Sequence, residues 1–139
     1  MPGRILGVDV GTRRVGLAMA DPLALFAQPV GTFDPNAAIE EIRRIDAENG
    51  VATVVVGWPL TEDGKEGPAT RMVNIYVRRI RKAVRGVTVV RLDERYTSEE
   101  ARTLKRENPA SRGQVDTLAA GLILQEYLDS RSPGNVQQR

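Results

Sequence analysis

The sequence predicts one α/β domain: a mixed sheet with helices on both faces. Three observations carry that expectation. Two apolar segments, Arg4–Val10 and Val15–Ala20, are joined by the short turn Gly11-Thr12-Arg13-Arg14 and read as an antiparallel hairpin. From Asp34 onward helical and β-branched segments alternate, the order that adds parallel strands to a sheet. The length of 139 residues suits a single domain, and a hydrophobic content of 41% can fill one core.

The elements follow in order. Gln28 to Phe33 reads as a short third strand. Asp34-Pro35 opens a helix, Asp as N-cap and Pro at the first helical position. Ala38, Ile39, Ile42 and Ile45 form its apolar stripe, and Asn49-Gly50 stops it. Val51 to Val56 is a β-branched run, the mark of a strand buried on both faces, and Gly57-Trp58-Pro59 ends it. Thr61 to Pro68 is a polar, Gly-rich loop. A helix is expected from Ala69 to Val84 with Met72, Val73, Tyr76, Val77 and Ile80 inward, then another buried strand from Val87 to Leu92. Thr97-Ser98-Glu99-Glu100 is a capping box for a short helix reaching Arg106. Asn108 to Gly113 reads as a loop. The last helix is expected over Val115–Leu128, with Leu118 and Leu122 among its inward residues. Residues 1–129 thus form the domain, and 130–139 a polar, disordered tail. Right-handed crossovers make strands one, four and five parallel neighbours, and ligands bind such sheets beyond the carboxyl ends of the strands.

Composition removes whole classes of chemistry. There is no Cys, hence no disulfide, thiolate nucleophile or Cys-bound zinc, and no His, hence no imidazole base or Ser-His-Asp triad. The apolar stretch before Asp9 is too short for a signal peptide, and no run approaches the ~20 residues of a membrane span. A cytoplasmic protein without a membrane partner is expected. Twenty Lys and Arg face 18 Asp and Glu, a net charge of +2. Arg71, Arg78, Arg79, Arg81, Lys82 and Arg85 form a stretch without an acid. The plain reading is a solvated helix face, although Arg forks also match phosphate.

Three acids stand where acids are unexpected. Asp9 lies inside an apolar strand and shares a face with Ile5 and Gly7. Its plain reading is a bond to turn amides. Asp93-Glu94 closes the fifth strand, where a pairing with Arg91 or Arg95 would suffice. Asp116 begins the last helix and would suit the helix dipole. Yet Ala119, Ala120, Ile123 and Tyr127 follow it at inward spacing. Taken together, the carboxylates converge on one sheet edge, where they would repel each other unless a cation lay between them. Oxygen ligands alone select Mg²⁺ or Mn²⁺. Two such ions clamp the attacking and leaving oxygens of a phosphodiester, so no protein base is needed. A rival reading takes Asp9-Val10-Gly11-Thr12 with Gly16 as the phosphate-binding hairpin of an actin-like ATPase. Those enzymes close two domains on a nucleotide, and this length supplies one.

The chain resembles the YqgF/RuvX family of the RNase H-like superfamily. Four motifs carry the resemblance: Gly7 to Gly16; Val54 to Leu60 with Asp63-Gly64 and Glu66-Gly67; Asp93 to Ala101; and Val115 to Ala120. The resemblance implies an RNase H-like fold, a five-stranded mixed sheet in the order 3-2-1-4-5. It implies a metal-dependent nuclease with Asp9, one acid of the Asp93-Glu94 pair, and Asp116 in the catalytic set. Similarity to resolvases favours Glu94, which gives Asp9, Glu94 and Asp116 as the ligands of two Mg²⁺ or Mn²⁺ ions. Thr12, Arg13, Arg14 and Arg95 lie beside the acids and are expected to contact nucleic-acid phosphates, with structural ion pairs the alternative. The Thr61–Pro68 loop would act as a substrate-contacting flap. The family is described both as processing the 5′ end of pre-16S ribosomal RNA and as resolving Holliday junctions. The second activity requires a homodimer with two sites facing one junction. A non-catalytic nucleic-acid-binding module and a small actin-like ATPase domain are the readings from other classes.

Overall fold

In the computed structural model, the described residues are 3–61, 63–93 and 112–131. They form β1 (Arg4–Val10), β2 (Val15–Ala20), β3 (Ala27–Phe33), α1 (Pro35–Asn49), β4 (Val51–Trp58), α2 (Pro68–Ala83), β5 (Thr88–Asp93) and α3 (Arg112–Arg131). The strands make one sheet in the order β3-β2-β1-β4-β5. β1 pairs antiparallel with β2 and parallel with β4, and β4 pairs parallel with β5. The carboxyl ends of β1, β4 and β5 therefore share one rim, as expected.

The period-two alternation of the strands divides the core into two layers. Leu6, Val8, Val15, Leu17, Val54 and Val56 face α1 and α2. Ile5, Ala18, Ala20 and Val55 face the other way, against Ala120, Ile123, Leu124 and Leu128 of α3.

Local chemistry sets the helix boundaries. Asp34 caps α1 by accepting the Ala37 N–H at 2.8 Å, and Pro35 starts the helix. Gly50 ends it at φ 75°, a conformation in which Gly carries no Cβ penalty. The predicted stripe of Ala38, Ile39, Ile42 and Ile45 is buried. At the start of α2, the buried Thr70 hydroxyl donates to Gly67 O at 2.8 Å and accepts the Gly67 N–H at 2.9 Å. The Tyr76 hydroxyl donates to Pro35 O at 2.7 Å and ties α2 to the start of α1.

Several expectations are corrected. β5 is not a fully buried strand: none of its residues is buried, because it forms the edge of the sheet and pairs with β4 alone. β4 continues through Gly57 and Trp58 instead of stopping before them, since both pair with β5. Leu118 is 44% exposed instead of inward. It sits about 200° around the helix from the buried Ala120, on the solvent side. Residues 112 and 113, placed in a loop by their Gly, belong to α3. At the other end α3 runs on through Ser130 and Arg131. There the Ser130 hydroxyl donates to Tyr127 O at 2.7 Å, and the Arg131 guanidinium lies 5.3 Å from the Tyr127 ring centroid. The capping-box helix expected at 97–106 and the tail beyond 131 lie outside the described residues.

One contact fixes the depth at which α3 lies on the sheet. A Cβ at Gly7 would meet Ala120 O at 2.6 Å and Leu124 Cβ at 2.7 Å. Only a residue without a side chain lets the α3 backbone lie directly on β1. Gly7→Ala is therefore expected to cost about 1–3 kcal/mol, the usual range for overpacking. Thermal unfolding checks this: the midpoint should fall, and an unchanged midpoint would show that the layer has slack. A second outcome concerns Tyr76. Burial pushes its phenol up to about 12 from an ordinary 10.0. The unfolded chain then releases this proton first, so stability falls as pH rises from about 10 through 12. Denaturant titrations of the wild type and Tyr76→Phe across that interval should show a shallower decline for the variant.

Candidate active site at the carboxyl rim of the sheet

Asp9 is the penultimate residue of β1, half-buried, and shares the α3 face with Ile5 and Gly7. Strand register extends its position across the sheet. Asp9 is opposite Gly16 on β2, and Gly16 is opposite Thr32 on β3. Gly16 has no side chain, so nothing on β2 separates Asp9 from Thr32 on this face. At the end of the row the Thr32 hydroxyl lies 2.5 Å from that of Thr117 on α3.

α3 runs antiparallel to β1 over this face. Leu128 lines a cleft with Ile5, Leu124 and Ala120 lie on Gly7, and Thr117 reaches the row of Asp9. Asp116 immediately precedes Thr117. By helical spacing its position falls on the stripe of Ala119, Ala120 and Ile123, all buried. The structure thus brings the turn that carries Asp116 to the row that carries Asp9. The Asp116 side chain lies outside the described residues, as do Glu94 and Arg95. Among the described residues no three acidic side chains form a group able to hold a metal ion.

Asp93 is the last residue of β5 and pairs in register with Trp58. Val90 and Leu92 pack with the α3 layer and Val89 with the opposite one. Strand alternation therefore puts Asp93 on the α1/α2 face, with Trp58 and away from Asp9. The Arg91 guanidinium lies 5.0 Å from the Trp58 ring centroid and donates to Asn74 Oδ1 at 2.9 Å. This stack at the rim was missed from sequence. Trp58 read as a strand stop and as part of the second motif, and its proximity to Arg91 depends on the β4–β5 register. The Thr32–Thr117 pair was missed for the same reason: a Thr in a short strand carries no signal until its cross-strand partners are known.

The β1–β2 turn closes through the Gly11 N–H donating to Arg14 O at 2.9 Å. A Cβ at Gly11 would meet that oxygen at 2.7 Å. Thr12, Arg13 and Arg14 project into solvent from the turn, on the same rim as Asp9. The loop after β4 leaves from this rim too. In it Thr61 accepts the Gly64 N–H on its carbonyl and the Lys65 N–H on its hydroxyl, at 2.8 and 3.1 Å. Arg71, Arg78, Arg81 and Lys82 on α2, and Arg85 just beyond it, are exposed, the solvated face of the plain reading. Arg79 is half-buried, lies over Tyr76 and donates to Asn36 Oδ1 at 2.5 Å.

A five-stranded sheet in this order, with an acid at the end of its central first strand and a closing helix laid across it, is the RNase H-like fold. Two solved structures of Thermus thermophilus RuvC share it, one in complex with a Holliday junction substrate. The complex aligns with a TM-score of 0.58 over 93% of this chain and 95% of that one, at 14% identity. The second aligns with a TM-score of 0.52 over 92% and 95%, also at 14% identity. Sequence similarity is more specific. The family described as RuvX, Holliday junction resolvase, matches residues 3–130. A Salinibacter ruber protein named "Putative pre-16S rRNA nuclease" is 52% identical over 132 residues, spanning 91% of this chain and 92% of its own. A Chlorobaculum tepidum protein of the same name is 39% identical, spanning 93% and 95%. The chain belongs to the RuvX family.

Trp58 is the single tryptophan, so its emission reports on this rim alone. Arg91→Ala uncovers the ring and should shift the emission maximum to longer wavelength. An unshifted spectrum would mean that the guanidinium does not cover the ring in solution.

Proposed function

We propose that this protein is a divalent-metal-dependent nuclease that trims the 5′ leader of precursor 16S ribosomal RNA. The observation that carries the reading is the convergence of the Asp9 row with the Asp116 turn of α3 at the carboxyl rim. The names of the Salinibacter and Chlorobaculum relatives supply the substrate.

Asp9, Glu94 and Asp116 are the proposed metal ligands. Glu94 is preferred by similarity to resolvases and because Asp93 lies on the α1/α2 face, away from Asp9. An all-oxygen donor set in a chain without His or Cys suits Mg²⁺ or Mn²⁺. When bound, two such ions stabilise the attacking and leaving oxygens of the phosphodiester.

The other residues bind and orient the substrate. Arg13 and Arg14, exposed on the turn next to Asp9, neutralise flanking phosphates, with the Thr12 hydroxyl beside them and Arg95 following Glu94. The loop that follows β4 leaves from this rim and is the proposed substrate-contacting flap. The exposed cations of α2 draw the polyanion by long-range attraction, so affinity falls with salt. A nuclease acting on ribosomal RNA belongs in the cytoplasm.

The family's description favours a second reading, resolution of Holliday junctions. Symmetric cutting of a junction requires a C₂ dimer with both sites on one substrate. Trimming of RNA can be done by a monomer.

Asp9→Asn should abolish cleavage in Mg²⁺ or Mn²⁺ while leaving thermal unfolding near that of wild type. Wild-type cleavage by this variant would remove the metal assignment. Wild-type protein should cut a precursor 16S leader faster than a four-way DNA junction at matched salt. The reverse order, together with a dimer by sedimentation, would replace the first reading with the second.

A further inference from the structure

We propose that the Thr32–Thr117 hydroxyl pair is a positioning device that holds the acid-bearing turn of α3 over the Asp9 row. The inference rests on the nuclease reading above and names Thr32, outside every motif, and Thr117, inside the fourth motif but given no role there.

Three observations carry it. The two hydroxyls are 2.5 Å apart, so one donates to the other within a short O–H···O bond. Their owners are distant in sequence: Thr32 lies on β3 and Thr117 on α3. Thr32 is in register with Gly16, and Gly16 with Asp9, so the bond ties α3 to the strand row that bears the first acid.

Position along α3 explains why such a tie would matter. From Ala119 to Leu128 the helix is held by apolar burial against the sheet and, two turns beyond Thr117, by Gln125, which accepts the Ala27 N–H at 2.8 Å and donates to Leu25 O at 2.9 Å. Gln125 ties the far part of the helix, and Thr117 ties the end that bears the acid. Apolar contact resists separation but is non-directional and tolerates sliding. Leu118, which could have extended that grip toward the first turns, points into solvent. A hydrogen bond is directional and fixes rotation and height. At Thr117 it acts one residue from Asp116. A rotation of α3 by one residue, about 100°, would carry that acid off the inner stripe. Neither threonine needs to touch the substrate or an ion. Each acts through the carboxylate it places, as groups behind metal ligands commonly do.

Thr32→Val keeps the shape and removes the hydroxyl, and Thr117→Val does so from the other side. Thr32→Ser keeps the hydroxyl and serves as rescue. Two readouts apply: calorimetric titration of the intact protein with Mn²⁺ alone, and cleavage of the precursor leader resolved into kcat and KM. Each Val variant should weaken Mn²⁺ binding and lower kcat by about 10- to 100-fold, the usual cost of losing support behind a ligand. KM for the RNA should stay within about twofold of wild type, and Thr32→Ser should recover both quantities. Val variants that fold and bind Mn²⁺ as wild type does would overturn the proposal. So would a loss confined to thermal stability, or a Ser variant that fails to rescue. Asp116→Asn separates this failure from failure of the nuclease reading. If Asp116→Asn is inactive and Thr32→Val is normal, only the positioning role falls. If Asp116→Asn cuts normally, the underlying metal assignment falls with it.

Discussion

α3 reaches its place because residue 7 has no side chain. Ala120 O and Leu124 Cβ would lie 2.6 and 2.7 Å from any Cβ there, so the helix backbone rests on the strand itself. This approach sets the height of everything along the helix. Leu124 and Leu128 fill the layer below, and Thr117 arrives at the level of Asp9, where a hydroxyl bond closes the row. A small absence in the centre of the sheet thus governs which residues can meet at its rim.

The two layers of the core divide the work. The α1/α2 layer holds most of the buried apolar bulk; Asp34 caps α1, and the Thr70 hydroxyl bonds back to Gly67 at the start of α2. Its polar contacts, such as the Tyr76 hydroxyl on Pro35 O, join helix to helix. The α3 layer is thinner and rich in Ala and Gly, and it bears Asp9 near the end of a strand otherwise apolar on that face. Gathering carboxylates at one rim is unfavourable unless cations compensate. The proposed divalent ions convert that repulsion into the reason for the site. Trp58 and Arg91 stack on the opposite face of the same rim.

Much of the fold could be read from the residues because the relevant signals are local. Asp34-Pro35 and Gly50 bound α1 as expected, and Ile39, Ile42 and Ile45 mark its buried face. Alternation in β1 put Asp9 beside Gly7, whereas the strand order was implied by the family resemblance that the four motifs carry, and the sheet has it. The failures share one physical origin. Whether a β-branched strand is central or at an edge depends on neighbours far away in sequence, so β5 read as buried. Leu118 is apolar but lies on the solvent side of the helix, opposite the buried Ala120 that rests on Gly7. For the site, Asp9 and Asp116 were legible as acids in apolar settings. The row through Gly16 to Thr32, the pairing with Thr117 and the separation of Asp93 onto the other face all require register, which composition does not encode.

The claim on which the rest depends is that acids from β1 and α3 share divalent ions. Crystals of the protein soaked in Mn²⁺ test it directly through anomalous scattering. The account predicts strong anomalous peaks, two within about 4 Å of each other, between the carboxylates of Asp9 and Asp116. Soaked crystals with the rim open to solvent and no peak there, or with Asp116 turned away from Asp9, would contradict it.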